Sequence, residues 1–134
     1  MRRTMLRAKI HRATVTDADL NYVGSITLDP ILMEATDLRV HEKLEIYNVS
    51  NGERFSTYAI EGRRGEGEVV LNGAAAHRVT EGDLVILCAY AELEESEMEA
   101  HRPKVIFVDR QNRIVEQSDA VIAHREPLLV PRAV

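Results

Sequence analysis

The chain has 134 residues, 45% of them hydrophobic, which suits one domain with one core and is not the composition of a disordered chain. A formal net charge of -5, with no stripe of Lys and Arg, argues against a nucleic-acid backbone binder but not against a small anionic ligand, for which two or three local cations suffice. The one cysteine, Cys88, excludes an internal disulfide and a cysteine-rich metal site; Arg7, Lys9 and His11 interrupt any apolar leader, and no run is long enough to span a membrane, so a cytoplasmic protein is expected.

In chain order, most segments read as short strands separated by Gly, Asp and Asn. Residues 4–16 are expected to be extended, and 22–28 to form a second strand with Ser25 inside it or at its start. Asp29-Pro30 is a helix start, with Asp as N-cap and Pro in the first turn, predicting a short helix over 31–36. Asn51-Gly52 predicts a hairpin between strands at 44–49 and 54–60. A charged, glycine-rich connection at 62–67 leads to a strand over 69–72, and 74–77 reads as a helical turn whose amides point back along the chain. After the turn at Glu81-Gly82-Asp83, the run 84–89 reads as a strand buried on both faces, with Cys88 as a buried, inert thiol. Residues 92–100 are acidic and read as loop or helix. A strand over 104–109 and a turn at Gln111-Asn112 follow, and the tail from Gln117, with Pro127 and Pro131, is expected at the surface. Many short strands with few helical segments predict a mainly β fold, a small closed barrel. The sequon Asn48-Val49-Ser50 is expected to stay unglycosylated, and His41, His77, His101 and His124 show no ligand spacing, so no metal is expected.

The stretch Leu20-Asn21-Tyr22-Val23-Gly24-Ser25-Ile26 carries the chemistry of interest. As a dipeptide, Gly-Ser is an ordinary turn. Yet a glycine before a serine leaves its carbonyl unshielded by a Cβ and tolerates strained dihedrals. Ser25 Oγ could then attack the Gly24 carbonyl and turn the amide into an ester. Elimination would give dehydroalanine, and hydrolysis a pyruvoyl group with loss of ammonia.

Several stretches together resemble the pyruvoyl-dependent aspartate 1-decarboxylases: Lys9-Ile10-His11-Arg12, Tyr22-Val23-Gly24-Ser25, Asn51-Gly52, Arg54-Phe55-Ser56-Thr57-Tyr58-Ala59-Ile60 and Asn72-Gly73-Ala74-Ala75-Ala76-His77. Each motif is weak alone; their shared order, from the first residues to about Asp109, is specific. The resemblance implies a six-stranded double-psi β barrel with short helices, assembled as a homotetramer with sites between subunits. It implies self-cleavage of the single domain 1–134 between Gly24 and Ser25, into a short chain 1–24 and a longer chain 25–134. It also implies conversion of L-aspartate to β-alanine for pantothenate synthesis, with a covalent pyruvoyl group and neither metal nor pyridoxal phosphate. An accessory maturation factor is left open.

The residues suit that chemistry. Removing CO2 from an α-amino acid leaves an electron pair that no ordinary side chain accepts, whereas a ketone condensed with the substrate amine as a Schiff base does. Aspartate keeps one of its two carboxylates, which wants a fixed cation. Arg54 is the first choice, because its planar fork pairs with a carboxylate through two bonds, and the resemblance adds Lys9. Tyr58 resembles the proton donor, and Thr57 the residue that assists processing by bonding the Gly24 carbonyl oxygen. Asn72 and the amides of Gly73, Ala74 and Ala75 would hold the substrate or the pyruvoyl oxygen. Lining positions are His11, Tyr22, Tyr47 (tryptophan in some relatives) and Ala76. Strand alternation places Arg54, Ser56 and Tyr58 on one face and Thr57 on the other. The strand is therefore expected to be twisted or bulged, or the site to lie where two subunits meet. Two rival readings stand beside this one: a non-catalytic β-barrel module that binds a partner, and a serine hydrolase using Ser25 with His11.

Overall fold

Alternation of core and surface residues sets the long strands. In the computed structural model of the chain, which describes residues 1–119, β1 (Arg2–Thr14) buries Ala8, Ile10 and Ala13 and turns Lys9 outward. Two register breaks, at Leu6/Ala8 and Ile10/Ala13, bend it. The first sets Arg7 against the Glu42 carboxylate at 2.6 Å and the Thr36 carbonyl oxygen at 3.3 Å. The other strands are β2 (Asp17–Asp19), β3 (Ser25–Leu28), β4 (Lys43–Asn48), β5 (Arg54–Glu61), β6 (Val69–Asn72), β7 (Leu84–Glu94), β8 (Lys104–Val108) and β9 (Ile114–Ser118). They join in one sheet in the order β2-β6-β3-β5-β4-β7-β1-β8-β9. Beyond β1, Val15 N–H donates to Asp83 O and Thr16 N–H to Val69 O, both at 2.8 Å, so the exit of β1 ties the start of β7 to the β6 edge. One apolar cluster forms the core, with Ile10, Ile26, Leu28, Leu44, Ile46, Leu71, Leu87 and Ile106 in it.

The mainly β expectation holds, and the described residues form nine strands where the resemblance implies a six-stranded barrel. The helix α1 (Pro30–Thr36) starts as predicted: Asp29 Oδ1 accepts from Ile31 N–H at 2.9 Å, with Pro30 in the first turn. The β4–β5 hairpin is also as predicted, Gly52 taking a left-handed φ of +80° at its turn. A 3-10 helix occupies Gly73–Arg78, and α2 (Glu95–Met98) falls in the acidic stretch, opened by a capping box between Glu94 and Glu97.

Three expectations need correction. The strand expected over 22–28 starts at Ser25, because 20–22 form a turn and bend and nothing pairs before β3 meets β6. The strand expected over 84–89 continues to Glu94, since β1 pairs with it as far as Arg2 opposite Glu94. The tail expected from Gln117 begins later, because Gln117 and Ser118 close β9 in its pairing with β8, with Gln117 exposed as expected. Pro127, Pro131 and His124 lie outside the described residues. No helix among the described residues is long and apolar enough to cross a membrane.

Candidate active site

Gly24 is the last exposed residue before β3, and Ser25 opens the strand at 1% exposure. The Gly24–Ser25 peptide thus sits where an open turn enters the core. Ser25 is opposite Asn72 in the antiparallel β3–β6 pair. Asn72, itself 2% exposed, donates from Nδ2 to Ser25 Oγ at 3.0 Å and to Thr27 Oγ1 at 2.9 Å. The serine hydroxyl donates in turn to Val23 O at 3.2 Å. One buried amide therefore fixes the oxygen that would attack.

Gly73 follows Asn72 with a φ of +63°. A Cβ there would lie 2.7 Å from Gly24 Cα and 3.1 Å from Tyr22 O, so the Gly73 backbone packs directly on the segment before Ser25. Gly24 differs: its φ is not positive, and a Cβ on it would meet only Asn72 O at 4.0 Å. The fold demands glycine at 73 and not at 24. What glycine gives at 24 is an unshielded carbonyl, without the strained dihedral anticipated from sequence.

β5 brings Tyr58 beside this junction. It runs parallel to β3 in a ladder that begins with Ile26 opposite Ala59, the residues that follow Ser25 and Tyr58 in their strands. The Tyr58 ring packs edge-on against His41, centroids 6.1 Å apart. Thr57 is opposite Leu44 on the core-facing side and makes no hydrogen bond with Gly24. The β4–β5 pairing runs from Tyr58 to Arg54 without a register break. No bulge re-aims the strand, so Arg54, four residues away, stands roughly 13 Å along it from Tyr58.

Arg54 belongs to a second group, on the outer face of the sheet. Its guanidinium carbon is 4.0 Å above the Tyr47 ring, and the Tyr47 and Tyr90 hydroxyls hydrogen-bond at 2.9 Å. Beneath them is Cys88, opposite Lys9 on β1 and Glu45 on β4. Cys88 is 4% exposed although it faces away from the core. Burial pushes the thiol above its usual range, against the pull of the Tyr90 hydroxyl and of the Lys9 and Arg54 charges, so it stays protonated and inert. Burial and the Tyr47 hydroxyl likewise hold the Tyr90 phenol above its usual range. Neither Arg54 nor Lys9 has an ion-pair partner among the described residues, whereas Arg2, Arg3, Arg7, Arg63, Arg64 and Arg78 each have one. Two cations without an ion pair thus flank the thiol, while Glu45 on the same face is paired with Lys43 at 3.5 Å.

The remaining positions divide between the two groups. Tyr22 is exposed beside Gly24; Ala74 is exposed, Ala75 half-buried and Ala76 buried in the 3-10 helix behind Asn72. His11 is on β1 opposite Phe107 of β8, its ring edge-on to the phenyl with centroids 5.4 Å apart. The partners of Ser25 Oγ are Asn72 and Val23, not His11, which leaves the hydrolase reading without its base. Among the described residues no group of three or more His, Cys, Asp or Glu could hold a metal ion. The strand expected over 84–89 stops short of Tyr90; the alternation Ile86, Cys88, Tyr90 along the longer β7 is the signal that places it on the outer face.

Residues 1–115 match the family model described as aspartate decarboxylase. A protein of Ralstonia pickettii (strain 12J) named aspartate 1-decarboxylase is 57% identical over 114 residues, covering 85% of this chain and 95% of the relative. Relatives of the same name from Shouchella clausii (strain KSM-K16) and Wolinella succinogenes are 59% and 58% identical, each over 116 residues and 87% of this chain, covering 91% and 96% of their own lengths.

Proposed function

The chain belongs to the aspartate decarboxylase family, and on that footing we propose that it converts L-aspartate to β-alanine and CO2 with a pyruvoyl group made from its own Ser25. The β-alanine would supply pantothenate synthesis in the cytoplasm. The observation that carries the mechanism is the junction itself: a glycine that the fold does not require, followed by a buried serine whose oxygen is fixed by Asn72.

Ser25 Oγ adds to the Gly24 carbonyl carbon, the C–N bond breaks, and the hydroxyl proton passes to the freed amine, leaving an ester. Loss of the Ser25 α-proton expels the Gly24 carboxylate and leaves dehydroalanine. Water then replaces its nitrogen, released as ammonia. Thr57, which makes no bond with Gly24 in the uncut chain, would have to turn to the Gly24 carbonyl oxygen to steady it during the first step, a role worth about 3 kcal/mol for a donor held in place. The residues fit a pyruvoyl group, since Asn72 Nδ2, a donor to Ser25 Oγ, can serve a carbonyl oxygen equally well.

Once formed, the group supplies a ketone for the substrate amine and a sink for the electrons left by CO2. Arg54 holds the retained carboxylate, with Lys9 as the second cation. Asn72 and the amides of Gly73, Ala74 and Ala75 bind the remaining polar atoms. Tyr58 donates the proton that replaces the lost carboxylate. His11, Tyr22, Tyr47 and Ala76 line the pocket. The unbroken β5 pairing and the distance from Arg54 to Tyr58 support a site shared between subunits of a homotetramer, each folded as a closed double-psi barrel.

Denaturing mass spectrometry of purified protein tests this. The expected products are a chain ending at Gly24 and a longer chain with a blocked, ketone-bearing start. Ser25→Ala should abolish both cleavage and decarboxylation. An uncut chain with full decarboxylase activity would overturn the mechanism, and an uncut, inactive chain would favour the binding module. Cleavage of protein refolded from denaturant with nothing added would dispense with a maturation factor.

A further inference from the structure

Tyr90 has no place in the chemistry above, yet it reaches the group that does. Tyr47 is opposite Arg54 on one side and Ile86 on the other. Tyr90 is four residues beyond Ile86 along β7, roughly 13 Å away. The two phenols therefore start far apart and meet only because both lean over the intervening pair, Glu45 and Cys88. Their hydroxyls close to 2.9 Å. Tyr90 is 41% exposed, so core packing does not fix this arrangement; the hydroxyl contact does.

What they fix is the surface under Arg54. The guanidinium lies over the Tyr47 ring at 4.0 Å and has no carboxylate partner among the described residues, so the ring is the contact that orients it. An arginine already oriented loses less freedom when it takes up a carboxylate. We propose that Tyr90 is a positioning residue for substrate binding: its hydroxyl tethers Tyr47, and the tethered ring presents the Arg54 fork to the retained carboxylate of aspartate. This rests on the reading that Arg54 is the carboxylate anchor.

The test is a double-mutant cycle on processed enzyme with Tyr90→Phe, Tyr47→Phe and the double variant, each keeping its ring. Breaking one tether from either end should raise KM for aspartate about three-fold, the cost of one net hydrogen bond, with kcat and the extent of cleavage held. The double variant should be no worse than either single one, because all three lose the same bond. A wild-type KM in Tyr90→Phe, effects that multiply in the double variant, or a fall in kcat without a rise in KM would each overturn the proposal. Arg54→Gln, measured alongside, separates the two readings. If it leaves KM unchanged, the anchor assignment falls and this proposal with it; if it raises KM while Tyr90→Phe does not, only Tyr90 loses its role.

Discussion

A side chain at position 73 would press its Cβ to 2.7 Å from Gly24 Cα, whereas one at position 24 would find its nearest neighbour 4.0 Å away. The two glycines thus predict opposite phenotypes. Gly73→Ala should destabilise the protein by about 1–2 kcal/mol through its left-handed φ and should also slow cleavage by displacing the scissile segment. Urea unfolding and a mass-spectrometric time course read the two effects. Gly24→Ala should fold within about 0.5 kcal/mol of wild type yet cleave more slowly, since only access to the carbonyl has changed. Normal cleavage in that variant would remove the argument from an unshielded carbonyl. Arg54→Lys should cleave fully and turn aspartate over poorly, because an ammonium reproduces neither the fork nor the stack on Tyr47. At this scale the sequence disclosed residue types, such as a fork for a carboxylate or a serine after a glycine. The Asn72 bond to Ser25 and the Tyr90–Tyr47–Arg54 chain depend on which residues stand across a ladder, and register is not written in any single stretch.

The elements that were legible have local causes. Asp29-Pro30 and Asn51-Gly52 specify a helix start and a hairpin by their own backbone preferences, and both occur where expected. The three-residue β2 and the β9 edge exist only because β6 and β8 offer partners, so no local periodicity announces them. Asp29 does more than cap. Its carboxylate, 3% exposed, accepts from Gly65 N–H at 3.1 Å and Gly67 N–H at 2.8 Å as well as from Ile31, tying the 62–67 connection to α1. Burial alone would push this carboxyl up, but the three amides outweigh it and hold the group below its ordinary 3.8. Its contribution is therefore complete above that value and is lost as pH falls through the lower folded-state pKa. Asp29→Asn should flatten the acid limb of stability measured by urea midpoint against pH. Asp29→Ala should cost about 2–3 kcal/mol at neutral pH, from the lost cap and the buried Gly67 amide left unpaired.

Over the whole molecule, the unbroken β5 keeps the Ser25 group and the Arg54 group apart within one chain, and the shared site between copies proposed above would resolve that separation. Co-expressing Ser25→Ala with Arg54→Gln should then give mixed assemblies with partial decarboxylase activity, although each variant alone is impaired. A mixture no more active than the better single variant would mean that one chain supplies both parts. The β class was legible from turn spacing, but the sheet order was not, because neighbours such as β1 and β7 are brought together from distant parts of the chain. That central seat of β1, flanked by β7 on one side and β8 on the other, bears on the fate of the nicked molecule. Residues 1–24 would not be shed like a propeptide; they would stay clamped mid-sheet by ladders on both edges. Unfolding would then set two unlinked strands of peptide adrift, so renaturation of the mature form becomes a second-order event, fast when concentrated and failing on dilution.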